Sequence, residues 1–164
     1  MEKPVSTISP DWRFVFTQPS HFLAFGFGSG LAPVAPGTFG TLAAFPLYWL
    51  LSGVHGWAYL AIVAFFFVAG IGFCDIAGKA LGVPDHGGIV WDEIVAMLLV
   101  LHFAPHTVAG FAAAFLLFRL FDIWKPFPIR WCDRRLKNGF GVMFDDLLAA
   151  FYAIICLKGI FWNG

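Results

Sequence analysis

The chain has 164 residues, is 60% hydrophobic and only 12% charged, and its ten basic and ten acidic side chains cancel. Ordinary soluble domains carry about 25% charged residues, so this composition leaves too few to clothe a well-solvated surface. The natural solvent for much of the chain is lipid, which makes it a polytopic membrane protein; the alternative is a small helical bundle with unusually large buried faces.

The first twenty residues carry Glu2, Lys3, Asp11 and Arg13 and lack a continuous apolar core. They read as a cytoplasmic N-terminal segment rather than a cleaved signal. Phe22–Phe27 allows a short helix, and "GFGSGLAPVAPGTFG", Gly26 to Gly40, reads as a glycine- and proline-shaped loop. It matches neither GxGxxG nor GxxxxGK[ST]. Backbone amides at the start of the following helix offer a phosphate site, or the loop is a plain turn into the membrane. Helical stretches are expected over Thr41–Ser52, Trp57–Leu81, Ile89–His102, Thr107–Asp122 and Asp145–Phe161. Trp57 to Phe73 has no charge over seventeen residues. The expected architecture is an all-α, membrane-embedded bundle of four or five membrane-associated helices, forming one domain over 1–164.

The connections alternate in character. The loops near Ser52–Gly56 and His102–His106 carry no Lys or Arg, whereas Ile123–Phe144 carries Lys125, Arg130, Arg134, Arg135 and Lys137. The positive-inside rule makes that loop cytoplasmic. Counting spans both ways places Gly26–Gly40 and Lys79–Gly88 on the same face, so every unusual loop lies on one side. Arg134, Arg135 and Lys137 read as lipid-headgroup contacts or topology signals.

Charge gathers at three helix ends: Asp92-Glu93, Arg119-x-x-Asp122-x-x-Lys125, and Asp145-Asp146. An ionised carboxylate deep in a bilayer costs roughly 2.5–3.5 kcal/mol on insertion scales, so such groups are functional hypotheses by default. Each cluster also has a plainer reading. Asp145 or Asp146 opens the last helix, just after Gly139 and Gly141, which permit tight backbone turns, and caps it; Arg119 and Asp122 form a structural pair one turn apart. Asp92 and Glu93 are harder to set aside, because adjacent residues point about 100° apart and one cap needs one carboxylate. Pro126 and Pro128 end the preceding helix and leave Lys125 at its mouth. Together the acids, Arg and Lys suit phosphoryl transfer with a hard cation. Mg²⁺ takes one or two carboxylates and leaves positions for water and phosphate, while Arg and Lys neutralise the remaining phosphate charge.

Other titratable groups are assigned smaller parts. His102 and His106 have i,i+4 spacing, but Pro105 interrupts and no acid follows the first His, so a metal site is not expected. Cys74, Cys132 and Cys156 lack a CxxC pair and read as small hydrophobes. Asp75 and Lys79 read as a surface pair. His86 either orders its loop or assists proton transfer.

These residues in this order resemble the phosphatidylglycerophosphatase A family. The likeness runs through "GFGSGLAPVAPGTFGTLAA", "GVPDHGGIVWDEIVAMLL" and "FRLFDIWKPFPIRWCDRRLKNGFGVMFDDLLAA", from Phe22 to about Tyr152. It implies a helical membrane phosphatase of the bacterial inner membrane that removes the terminal phosphate of phosphatidylglycerophosphate with Mg²⁺. Position by position, the implied metal-site acids are Asp92, Glu93, Asp122, Asp145 and Asp146, with Lys125 in the DxxKPxP element. Arg119, Lys125 and, less centrally, Arg130 are then assigned to phosphate. The chain departs from the family at Ala96 and Ala150, where glycine is usual; both remain small, as close helix packing requires.

Competing motifs are missing. Asp122-Ile123-Trp124 fails DxDxT, and neither KxxxxxxRP nor an SGH-type motif is present. This favours direct attack by water activated at the metal, with an aspartyl-phosphate route left open. A phosphatidyltransferase would need a DGxxAR-type motif, which is missing. A non-enzymatic transporter or scaffold would spread its acids through the membrane depth. The expected partner is a phospholipid, with no nucleic acid, and nothing in the sequence specifies an oligomer.

Overall fold

The computed structural model describes residues 9–161. Eight α-helices and no strands occur among them: α1 (Trp12–Thr17), α2 (Pro19–Ala24), α3 (Pro36–Leu50), α4 (Trp57–Leu81), α5 (Trp91–Phe103), α6 (Val108–Trp124), α7 (Ile129–Arg135) and α8 (Gly139–Phe161). The all-α architecture expected from the sequence is the one observed. A 3₁₀ segment, Gly26–Leu31, links α2 to α3. Of the presumed N-terminal segment, residues 1–8 lie outside the described residues. The remainder is not a plain tail: it forms α1 and begins α2, and Val15 is fully buried.

Local chemistry sets the helix ends. Pro36 sits in the first turn of α3, where its missing N–H costs nothing. α4 runs 25 residues without proline and stops at Gly82, whose φ of 73° is the left-handed C-terminal conformation that glycine adopts freely. α5 stops at Ala104, held extended by the following Pro105. Thr107 caps α6, its hydroxyl oxygen accepting the Gly110 N–H at 3.0 Å. Lys125 ends α6 in a left-handed conformation just before Pro126.

α5 is the axle of the bundle. It packs against α3, α4, α6 and α8, and Ile94, Met97, Leu98, Val100 and Leu101 are buried around it. A helix apolar on every side belongs in a core. α4 is the opposite case: only 22% of its most apolar stretch is buried, against 56% for α8, and Phe65 and Val68 point outward. Among the described residues, α4 and α8 are the two helices long and apolar enough to cross a membrane unaided. At 15, 13 and 17 residues, α3, α5 and α6 are about 20–26 Å long, shorter than a full hydrocarbon core of about 30 Å.

Three boundaries differ from expectation. α3 begins at Pro36 rather than Thr41, so Gly37 to Gly40 form helix instead of loop. α8 begins at Gly139, so Asp145 and Asp146 lie in its second turn and do not open or cap it. The basic stretch expected to be loop contains α7. In each case the glycines or prolines read as turn signals serve close packing or a helix start instead: Gly139 lies against the Ile71 carbonyl and Asp75 of α4, and Gly141 against Leu136.

The unusual loops do gather at one end. Gly30 packs on the Gly88 backbone and the Pro84 backbone approaches Gly78. Tyr48, His55, His102 and His106 gather at the other end.

Candidate active site

The three charged clusters meet. Asp92 and Glu93 occupy the first turn of α5, whose N-cap, Val90, offers no side-chain bond. Arg119 comes from α6 and reaches both ways: its Nη1 donates to Glu93 Oε1 at 3.3 Å and to Asp122 Oδ2. From α8, Asp145 accepts from Lys125 Nζ at 2.5 Å. Asp146 lies close enough to Asp92, Asp122, Asp145 and Glu93 for their charges to act on it. Asp92, Asp122, Asp145 and Asp146 are all at least nine-tenths buried.

The plain reading of Arg119 and Asp122 as a structural pair is half right. They pair, but Arg119 also joins α6 to the acidic turn of α5. Lys125 is held by Asp145 and, at 3.2 Å, by Asp133 of α7. Burial favours its neutral amine, yet the charge of Asp145 outweighs burial and holds its pKa above the ordinary lysine range. Arg130 does not reach the acids; it donates to the Trp124 carbonyl at 2.9 Å. It lines a cleft of about 500 Å³ with Lys125, Trp131, Arg134 and Arg135.

Five buried or largely buried carboxylates thus face two cations. Among the described residues, Asp92 and Asp146 have no ion pair, and Asp92 Oδ1, Glu93 Oε2, Asp146 Oδ2 and Arg119 Nε are buried without a hydrogen-bond partner. Unpaired buried oxygens are costly, by about 1–3 kcal/mol each or more when charged. A set of hard oxygen donors with excess negative charge, free of imidazole and thiolate, fits Mg²⁺. Among the described residues no three His, Cys, Asp or Glu side chains form a tight preassembled cage. Mg²⁺ does not require one, since it retains several waters and binds through one or two carboxylates.

The acids sit deeper than the surface position expected for helix ends. The indole N–H of Trp91, beside Asp92, donates to the Phe66 carbonyl at 3.1 Å, and Gly70 abuts Trp91 and Met143. That level is about 16–22 Å along α4 from its end at Leu81. The last turns of α4 continue past the site and carry the exposed Asp75–Lys79 pair, at 2.5 Å as the sequence suggests.

Several contributors escape a reading by motif. A side-chain carbon on Gly37 would collide with the Glu93 carboxylate and approach Arg119; one on Gly40 would approach Glu93 at 3.1 Å. These glycines let the first turns of α3 lie directly on the site. Asp133 supports Lys125, and the exposed loop residue Asp85 acts electrostatically on Asp92, Glu93 and Asp145. Neighbouring His86 accepts the Gly88 N–H at 3.0 Å and so orders its loop. Ala96 and Ala150 are both buried. Cys74, close to Asp92 and Asp146, is fully buried and donates its S–H to Met143.

The sequence profile of the phosphatidylglycerophosphatase A family matches residues 22–161. A protein of Haemophilus influenzae named phosphatidylglycerophosphatase A is 48% identical over 157 residues, 94% of this chain and 96% of its own length. One of the same name from Escherichia coli is 44% identical over 138 residues, 84% of this chain and 80% of its own. A Bacteroides thetaiotaomicron protein, provisionally named a phosphatidylinositol-3-phosphatase, is 39% identical over 145 residues, 84% of this chain and 90% of its own. No solved structure matches significantly. The match embraces every element that builds the acidic site, from the α3 glycines to the paired aspartates of α8, and the chain belongs to the phosphatidylglycerophosphatase A family.

Proposed function

We propose that the protein is a Mg²⁺-dependent lipid phosphatase that hydrolyses the terminal monoester of phosphatidylglycerophosphate, giving phosphatidylglycerol and phosphate. The observation that carries this reading is the trio of partnerless buried oxygens on Asp92, Glu93 and Asp146, set beside Arg119 and Lys125. The names of the two relatives supply the substrate, and the provisional name of the third points to the same bond class, a phosphate monoester on a lipid headgroup.

Asp92, Asp146 and Glu93 would hold the ion, with Asp122 and Asp145 completing the acidic wall. Bound there, Mg²⁺ supplies Lewis acidity and positive charge that offset the phosphoryl dianion. Arg119 is fixed by Glu93 and Asp122, leaving its unpartnered Nε–H to meet a phosphate oxygen. Lys125, held protonated by Asp145, places a second positive charge at the end of α6. Arg130 and the basic cleft beside it suit the second, diester phosphate of the substrate. Cys74 is spent on Met143, and among the described residues no hydroxyl or imidazole stands among the hydrogen-bond partners of the acids, which favours attack by water.

The setting is the bacterial inner membrane with the site on the cytoplasmic side, supported by the basic residues of α7 and its flanks, Arg130, Arg134, Arg135 and Lys137. The test is phosphate release by purified protein in liposomes. Phosphatidylglycerophosphate should be hydrolysed with Mg²⁺, and phosphatidylinositol 3-phosphate serves as the competing substrate. Release of phosphate in EDTA at an undiminished rate would remove the metal from the proposal.

A further inference from the structure

Beside the acids lies an apolar groove that the phosphatase chemistry does not use. It has a volume of about 250 Å³ and runs between α4, α5 and α8. Leu60, Ala64 and Val68 line it from α4, Ala96 and Leu99 from α5, and Leu147 from α8. Its one polar lining residue is Asp92, whose Oδ1 is buried without a partner.

The direction of this groove is informative. α4 and α5 run antiparallel: Trp91 meets Phe66 while Tyr59 donates to the Leu98 carbonyl at 2.9 Å. Asp92 therefore lies at the Phe67–Val68 end and Leu99 at the Leu60 end. From Leu60 to Val68 is about 12 Å along the helix axis. The groove starts at the acid and leads away from the polar loops, toward the His- and Tyr-bearing end of the bundle. Its α4 wall is open to the outside, with Ala64 exposed and Val68 two-thirds exposed. A water-soluble phosphate ester has no use for such a channel. A lipid entering sideways from the bilayer does, because its chain falls along the groove as its headgroup meets Asp92.

We infer that this groove is the acyl-chain subsite of the enzyme, and that substrate enters laterally past α4 rather than from the water above the loops. The inference rests on the lipid phosphatase reading. It assigns to Ala96 a role in specificity as well as packing: a larger residue there, or at Ala64, would close the channel.

The test pairs kinetics with labelling. Ala64→Phe, on the exposed wall, should raise KM for a long-chain phosphatidylglycerophosphate roughly tenfold, the worth of about two methylenes denied burial, and leave kcat largely intact. A dihexanoyl substrate should feel the change less. Ile155→Phe, on an outward-facing position of α8 remote from the groove, is the control and should alter neither constant. Separately, wild-type protein in liposomes is irradiated with phosphatidylglycerophosphate bearing a diazirine midway along one chain. Label should concentrate in the Leu60–Val68 and Ala96–Leu99 peptides. Uniform labelling of the outward faces, or an unchanged KM in Ala64→Phe, overturns the subsite. If wild-type protein releases no phosphate at all, the phosphatase reading fails instead, and the labelling pattern still decides whether the groove holds lipid.

Discussion

The two ends of this bundle both gather titratable side chains around a hollow, yet they solve the polar problem in opposite ways. At the His and Tyr end, a cavity of about 490 Å³ is lined by Tyr48, His55, Tyr59, His102 and His106. There both tyrosine hydroxyls find partners. The Tyr48 hydroxyl lies 3.0 Å from His106 Nε2, Tyr59 donates to the Leu98 carbonyl, and the Tyr59 ring stacks on His102 at 4.8 Å. At the acidic end, three carboxylate oxygens and a guanidinium N–H are buried without partners, and carboxylates outnumber cations. A protein tolerates such a deficit where a ligand makes it good. Crowding of ionisable groups alone therefore does not mark a site; several unpaired carboxylate oxygens gathered together do.

The largest effect expected from that contrast is at the unpaired acids. Asp92→Asn and Asp146→Asn should each reduce phosphate release to background while the protein still inserts and folds, as read by helical circular dichroism in detergent. Neither side chain holds an ion pair that the amide would break, so folding survives and the charge needed by the ion is lost. Full turnover in both variants would sink the proposed metal site. Chelation should have a comparable effect on the wild type: EDTA abolishes release and added Mg²⁺ restores it.

Arg119→Lys should cost less, roughly 10–100-fold in kcat/KM, as for a group that orients ligands rather than holding the ion. Lysine keeps the charge and three donors but lacks the planar, rigid fork that meets Glu93 and Asp122 with one nitrogen and turns another toward the ligand. Gly37→Ala probes the same bridge from outside. Its new carbon would press on the Glu93 carboxylate, which should destabilise the fold by about 1–3 kcal/mol and lower turnover with the charge set unchanged. Thermal unfolding in detergent beside the activity assay measures both.

Much of this was legible in the sequence because it is carried by composition and spacing. The apolar runs gave α4 and α6 to within a few residues, and Asp92-Glu93 at the start of a helix was evident from the break after "DHGG". The acids of α8 were singled out but placed at a helix start, because Gly139 and Gly141 read as turn formers. Their reason is packing: Gly139 lies where the distant Ile71 carbonyl, and Gly141 where the nearby Leu136 carbonyl, leaves no room for a side chain. Helix propensity is a weak prior against such packing. Likewise Gly37 and Gly40 gave no local sign of touching Glu93, some 50 residues away, and the depth of the acids alongside α4 depends on helix register that no single helix encodes.

The smallest effect should come from the paired end, and it is the sharper half of the comparison. Tyr48→Phe removes the hydroxyl that meets His106 but keeps the ring packed on Tyr59 and Phe111. The loss of one partly exposed hydrogen bond should cost about 0.5–1.5 kcal/mol of stability. Turnover should stay within about twofold, since the change is remote from the acids and small in free energy. His106→Ala should behave alike, and the double variant should show little beyond the first loss, because both delete the same bond. If Tyr48→Phe instead cut turnover as deeply as Arg119→Lys, the pairing of polar groups would no longer separate a structural end from a working one, and the His and Tyr cavity would have to be counted as part of the enzyme's machinery.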